Sequence, residues 1–323
     1  MGFEDSFVRV VKRIMMVERM SESQKDKLRQ IRSRFLRPIR FRFACLHRGI
    51  KFERLPGGKA RFSRAGRSVT VSESDDLLLI ARRFDYFFSS EEMRGNGNNL
   101  DFTREVVLLG FKVRTRAECA LWAKPILLEY NKHSPLKEGD VVLDCGAHHG
   151  IYTLIASRAV GETGRVYSFE PDDCNYSILA GNVKRNGLRN VVLVRAGVWK
   201  DDGFVSFEGS VDHSYHVSFN PESALGNARA IRVVSLKSFF ESEGLSRIDF
   251  VKMDIEGAEI EAIGGALDFL SRHPASFAIA SYHIRDGKPT CFALEEMFGK
   301  AGYDAWTEEN SAGEKITHAR KSR

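Results

Sequence analysis

The stretch from Asp140 to Glu170 constrains the fold most. VVLD (Val141 to Asp144) is a short apolar run, GAHHG follows at once, IYTLIASRAV has a helical pattern, and RVYSFE (Arg165 to Glu170) is a second apolar run. A strand that ends in glycines, opens a helix and returns as another strand is a βαβ unit, whose strands lie parallel in one sheet. The rhythm continues downstream. PDDCNYSILAGNVKRNG reads as a helix capped near Asp172 and closed at Asn186–Gly187, and Val191 to Ala196 as a third strand. Ile248 to Asp254 and Ser276 to Tyr282 read as the fourth and fifth strands. Cys291 to Ala301 reads as a helix and Tyr303 to Ala319 as a closing hairpin around Asn310 to Gly313. Gly203 to Val234 interrupts the alternation and reads as a β insertion. The pattern predicts an α/β fold with a doubly wound, mostly parallel sheet.

The first 100 residues follow a different pattern and read as a basic α+β extension, with residues 101–323 forming the main domain. Of the net charge of +6, residues 1–72 alone carry 19 Lys and Arg against 6 Asp and Glu. Phe7, Val10, Val11, Ile14, Val17 and Met20 recur at helical spacing with Arg9, Lys12, Arg13 and Arg19 between them. A basic amphipathic helix of this kind suits peripheral contact with a membrane surface, a polyanion or the protein's own surface. Phe41 to Val71 alternate apolar and polar residues around a turn at Pro56 to Gly58, which predicts short strands. Residues 73–93 have a mixed helical pattern and lead into the loop RGNGNNL. No uncharged apolar run approaches the ~18 residues of a membrane span, and charges interrupt the N-terminal segment where a secretory signal would be apolar. The 5 cysteines are scattered and never paired as CxxC, so neither a disulfide framework nor a zinc site is expected, and a cytoplasmic location suits them.

The chemistry concentrates in the loop after the first strand. In Asp144-Cys145-Gly146-Ala147-His148-His149-Gly150 the small residues at 146 and 150 permit close approach of a ligand to the backbone at a helix N-terminus. The loop lacks the GxGxxG spacing of a dinucleotide site. Its leading acid, Asp144, suits an ammonium group better than a diphosphate. Glu170, at the tip of the next strand, suits the hydroxyls of a ribose. An amino acid at one end and a nucleoside at the other describe S-adenosylmethionine. Further on, Lys252-Met253-Asp254-Ile255-Glu256-Gly257-Ala258-Glu259 sets three acids and a lysine at the end of the fourth strand, where open α/β sheets bind ligands. Asp254 is the candidate to orient an acceptor or the donor, and Glu259 reads as part of a helix start.

DCGAHHGIYT, FEP and KMDIEGAE together resemble the FkbM-type family of S-adenosylmethionine-dependent methyltransferases, over roughly Asp140 to Trp306. The resemblance implies a Rossmann-like class I methyltransferase fold. It also implies donor binding by Asp144, Gly146, Ala147, Gly150 and Glu170, with Ala196 and Gly197 near the adenine. O-methylation of a small-molecule or sugar-containing (glycan) acceptor is the activity that goes with it. Members commonly carry an acid two residues before the histidine that ends the fifth strand; here Ser281 precedes His283, so the resemblance assigns no metal. Because an imidazole titrates near neutral pH, His283 is the first candidate for the general base, with His149 of the donor loop and Asp254 beside it. His213 and His216 of the insertion are candidates for an acceptor pocket. Two alternatives stay open: an RNA or protein methyltransferase that grips its target with the basic N-terminal segment, and a binding protein that keeps the fold without activity.

Overall fold

The computed structural model of this chain describes residues 37–90, 93, 95–121, 129–209, 215–216, 229–310 and 313–321. The amphipathic helix expected near Phe7 to Met20, and His213, lie outside the described residues. The chain divides into two compact units, residues 1–89 with 97–103, and residues 90–96 with 104–323.

In the first unit, Lys51–Leu55 and Lys59–Arg64 pair antiparallel across the Pro56 to Gly58 turn. Gly57 and Gly58 have φ of 78° and 67°, a left-handed conformation that residues with a Cβ adopt only at a cost. Arg67–Ser72 adds a third antiparallel strand and Asn99–Asp101 a fourth, parallel one. The start of the stretch read as strand is instead a helix, Arg37–His47. Phe41, Ala44 and Cys45 also share a helix face. Phe41 packs on Phe52 and Phe62, at ring distances of 4.8 and 6.0 Å, and Ala44 and Cys45 are buried. Tertiary burial therefore overrode the local alternation.

The second unit is built on a seven-stranded sheet. Its strands are β1 (Val141–Cys145), β2 (Arg165–Phe169), β3 (Val191–Val194), β4 (Phe250–Met253), β5 (Ser276–Ala280), β6 (Asp304–Glu309) and β7 (Lys315–Arg320). The spatial order is β6-β7-β5-β4-β1-β2-β3, parallel from β5 to β3, with β7 antiparallel to both β5 and β6. The helices are α1 (Ile151–Val160), α2 (Asp173–Arg185), α3 (Leu236–Ser242), α4 (Glu259–Gly264), α5 (Leu267–Arg272) and α6 (Cys291–Lys300). Asp172 caps α2 as expected, its Oδ1 accepting from the amides of Cys174 and Asn175. The central strands β1, β2, β4 and β5 are buried on both faces. Leu143, Phe169, Val251, Met253, Phe277 and Ile279 fill one core cluster, and Val142, Tyr152, Val166, Phe250 and Ala278 another. This is the doubly wound, mostly parallel α/β sheet that the sequence pattern predicts.

Strand order reverses between β1 and β4. Successive connections leave that point toward opposite edges, so the loops after β1 and β4 splay apart and open a crevice at the carboxyl ends of the strands. The insertion contributes Gly203–Gly209, antiparallel to Arg229–Val234, with Gly197–Val198 parallel to the latter. Among the described residues, no helix is long and apolar enough to cross a membrane.

Candidate functional site

A cavity of about 670 Å³ occupies the crevice, within the range of pockets that bury most of a small ligand. On the β1–β2 side its wall comprises Gly146, Ala147, His148, Glu170, Asp172, Gly197 and the apolar side chains of Ile178, Val198, Trp199, Ile231 and Val233. On the β4–β5 side it includes Tyr130, Asp254, Glu256, Tyr282, Asn310 and Glu314. Lys252 faces the cavity at the junction of the two sides.

The loop after β1 is latched to the end of β2. The amides of Gly146 and Ala147 donate to the Phe169 carbonyl at 3.0 and 2.9 Å, and the His148 amide donates to Glu170 Oε2 at 2.7 Å. These amides are spent inside the protein, so the loop is not a nest for a diphosphate. Gly146 has φ of 79°, and a Cβ on it would lie 1.9 Å from the Asp254 carbonyl oxygen. Only glycine lets the loop close on the end of β4. Glu170 is 5% exposed. Burial pushes its carboxyl up to about 7 despite the amides of Asp172 and His148 that hold its charged form.

Three expected donor residues sit elsewhere. Asp144 is fully buried and off the cavity wall. Its Oδ1 pairs with Lys252 Nζ at 3.1 Å, and its Oδ2 accepts from Thr153 Oγ1 at 2.6 Å. The pairing follows from register, because Asp144 and Lys252 are Cα partners across β1 and β4. Asp144 thus holds Lys252, which also donates to the Gly146 carbonyl at 2.7 Å. Burial alone would lower the Lys252 pKa, but Asp144 and Asp254 outweigh it and raise it. Gly150 starts α1 at φ of 83°, and a Cβ there would meet Leu179 Cδ1 at 2.4 Å, so its smallness serves packing of α1 on α2. Ala196 is buried in the core, whereas its neighbour Gly197 lines the cavity.

The histidines also depart from expectation. His283 is not a cavity-wall base. Its side chain is 11% exposed, its Nδ1 lies 3.1 Å from Glu259 Oε1, and its Nε2 lies 3.5 Å from Glu256 Oε2 and 3.9 Å from Asp254 Oδ1. Burial would lower its pKa, but Glu256, Glu259 and Asp254 together raise it to about 10. It is an imidazolium at neutral pH and has no lone pair to accept a proton. Asp254, Glu259 and His283 bring ligand-type atoms within 4.8 Å of one another, a spacing that could hold a metal ion. His149 is buried with Nδ1 3.0 Å from Thr115 Oγ1, while its carbonyl accepts from Asn182 Nδ2. Its ring stacks on His148 at 3.8 Å. Burial, Lys252 and Arg116 lower the His148 pKa to about 4, so that ring is neutral.

Of the expected catalytic residues, His149 and Asp254 line the cavity, and Asp254 has one oxygen turned to Tyr130, whose hydroxyl donates to Oδ2 at 3.4 Å. Tyr130, Tyr282, Asn310 and Glu314 were not read from the sequence. No motif marks them; Asn310 and Glu314 reach the cavity from the β6–β7 turn, Tyr282 follows β5 and Tyr130 precedes β1.

The stretch 144–305, half of the chain, matches the methyltransferase FkbM domain. The chain belongs to the FkbM methyltransferase family. S-adenosylmethionine is the methyl donor that goes with this family and fold. The hexuronic acid methyltransferase AglP of Haloferax volcanii is 27% identical over 150 residues, covering 46% of this chain and 57% of that one. A crystallised FkbM methyltransferase from Methylobacillus flagellatus is 20% identical with a TM-score of 0.44, covering 60% of this chain and 47% of that one. A crystallised SAM-dependent methyltransferase from Aquifex aeolicus is also 20% identical, with a TM-score of 0.39, and covers 62% of this chain and 89% of that one. The match thus spans little more than half of AglP. In this FkbM-family chain the residue standing in place of an acid, Ser281, is buried, donates to the Lys315 carbonyl at 3.2 Å and accepts from Thr317 Oγ1 at 2.8 Å. It ties the end of β5 to β7.

Proposed function

We propose that this protein is an S-adenosylmethionine-dependent O-methyltransferase acting on a small-molecule or sugar-containing acceptor. The observation that carries this reading is one continuous cavity across the strand-order reversal, with different chemistry on its two sides. The β1–β2 side pairs a buried carboxylate, Glu170, with an apolar slot formed by Ile178, Val198, Trp199 and Val233. A ribose and an aromatic base need that combination. When bound, the donor supplies a methyl group on a sulfonium, ready for in-line displacement.

The chain's own residues have two tasks. Lys252 and Gly146 set the donor loop against the end of β4, which fixes the distance between the two halves of the cavity. Positioning of this kind is worth up to ~7–11 kcal/mol of barrier. Asp254 is the residue placed to take the proton of an acceptor hydroxyl. Its Oδ2 is oriented by Tyr130, and its Oδ1 has no hydrogen-bond partner among the described residues. A positioned base typically adds ~10²–10⁴-fold. The 27% identity to a hexuronic acid methyltransferase supports a sugar among the acceptors to be screened.

The test is calorimetric titration with S-adenosylmethionine and S-adenosylhomocysteine, with NAD as control, on the wild type and Glu170→Gln. Both sulfur compounds should bind, NAD should not, and Glu170→Gln should weaken both by about tenfold, the worth of one charge-assisted hydrogen bond. Absence of binding by either sulfur compound would overturn the reading and favour a fold retained without the activity.

A further inference from the structure

A second cluster of ligand-type side chains lies where the β6–β7 hairpin meets the segment before β1, and none of its members lines the cavity. Trp306 and His318 are Cα partners across the hairpin, as are Glu308 and Ile316. Alternation along antiparallel strands therefore puts Trp306, Glu308 and His318 on one face, with His318 diagonal to Glu308. His133 packs against that face, its ring 4.7 Å from His318 and 5.1 Å from Trp306. One ligand atom each from His133, Glu308 and His318 falls within 4.8 Å of the others. His133 Nε2 lies 3.1 Å from Glu308 Oε1, yet it is buried without a hydrogen-bond partner among the described residues. Lys132 Nζ holds the other carboxylate oxygen, Oε2, at 2.5 Å. A pairing of His133 with Glu308 accounts for two of the three groups. It gives no reason for a second imidazole to converge on the same carboxylate.

We propose that His133, Glu308 and His318 form a site for a divalent cation of the zinc class, which fastens the segment before β1 to the β6–β7 hairpin. Two imidazoles and one carboxylate suit zinc and its transition-metal neighbours, whereas magnesium and calcium prefer oxygen ligands throughout. Zinc bonds to such atoms at ~2.0–2.1 Å, so tetrahedral ligands stand ~3.3 Å apart. The His133–Glu308 pair already has about that spacing, and a side-chain rotation brings in the third ligand. His318 is buried, but the side chains of His133 and Glu308 are 27% and 35% exposed. An ion therefore reaches the site from solvent and keeps water in its fourth position. The cations beside the site are already engaged, Lys132 with Oε2 and Arg320 over the Trp306 ring at 5.2 Å. Lys132 would stay on Oε2 and orient the ligating carboxylate, and Trp306 would wall the ion from one side. The ion would hold together the two segments that bring Tyr130 and, from the hairpin turn, Asn310 and Glu314 to the cavity wall. No cysteine takes part, which is why cysteine spacing gave no sign of the site.

The experiment uses the full, untagged chain freed of metal by chelation and titrated calorimetrically with zinc chloride, with magnesium chloride as control. Zinc should bind and raise the unfolding midpoint, and magnesium should do neither. His133→Gln and Glu308→Gln should each weaken zinc binding by at least about 100-fold, because partners outside the ligand set are themselves worth ~10–100-fold. Cys119 with His148 and His149, and Asp254 with Glu259 and His283, also bring ligand-type atoms within 4.8 Å. Cys119→Ser and His283→Gln are therefore the comparison variants, and the equivalent lost in His133→Gln and Glu308→Gln should survive in both. Cobalt(II) in place of zinc reads the ligands of the wild type without any substitution, and its first equivalent should show no sulfur-to-cobalt charge transfer. Absence of zinc binding, binding unchanged in both His133→Gln and Glu308→Gln, or sulfur charge transfer at the first equivalent of cobalt overturns the proposal. Neither methyl donor nor acceptor is present in these titrations, so the outcome does not depend on the methyltransferase reading.

Discussion

His283→Gln is the most informative single perturbation, because it separates a proton acceptor from a buried cation. The imidazole rises from an ordinary 6.5 to about 10 in the fold. At 1.36 kcal/mol for each pKa unit, a rise of this size has a ceiling of about 5 kcal/mol. Relaxation and water entry reduce such values, and removing one partner of a buried ion pair typically costs about 3–5 kcal/mol. A loss near 3 kcal/mol at pH 6.5 is therefore expected. The sign follows from linkage. A group whose pKa is raised by folding contributes fully below its unfolded pKa, and the contribution fades as pH rises through the folded value. The wild type should thus lose its advantage over His283→Gln between pH 6.5 and about 10. The assay is urea unfolding of both proteins across that range, taking the difference at each pH so that other titrations cancel. A stability difference that stays constant with pH, or is absent at pH 6.5, would refute the cation assignment. If activity then fell while stability did not, the residue would be a base after all.

Other perturbations test the architecture of the site. Gly146→Ala should cost more than about 2 kcal/mol by thermal unfolding and weaken donor binding, because the new Cβ would sit 1.9 Å from the Asp254 carbonyl. Gly187→Ala, at a similar φ of 62° with open space around it, should cost only about 1 kcal/mol. Asp144→Ala should destabilise the fold by about 3–5 kcal/mol, since it leaves the Lys252 ammonium buried without its partner; an unfolding midpoint equal to that of the wild type would show that the pair is dispensable. Tyr130→Phe removes the donor to Asp254 Oδ2 and should lower turnover with labelled donor about tenfold at unchanged donor affinity. Equal turnover would remove Tyr130 from the orienting role.

Short-range chemistry was legible in the chain itself. Apolar runs of four or five residues, each followed by a helical period, announced a parallel sheet. Pro56 to Gly58, Asp172 and Asn186–Gly187 announced turns and helix ends, because those residues favour the required backbone geometry wherever they occur. The lining by Gly146, Ala147, Glu170, Gly197 and Asp254 was also readable, since each lies at or beside a strand tip and strand tips face the crevice. Roles that depend on partners distant in sequence were not readable. Asp144 looked like a donor ligand until parallel register set Lys252 beside it. His283 looked like a base until Glu256 and Glu259, 27 and 24 residues earlier, closed around it. Tyr130, Asn310 and Glu314 carried no local signal, because a tyrosine before a loop and an acid beside a hairpin turn occur in any surface sequence. The sequence by itself therefore determined the elements of the main sheet, their order and the glycine-bearing loop after β1, all of which follow from backbone preferences and periodicity. Only the tertiary structure decided which charges neutralise one another and which line the cavity, because those outcomes depend on distance and burial between residues that the chain holds far apart.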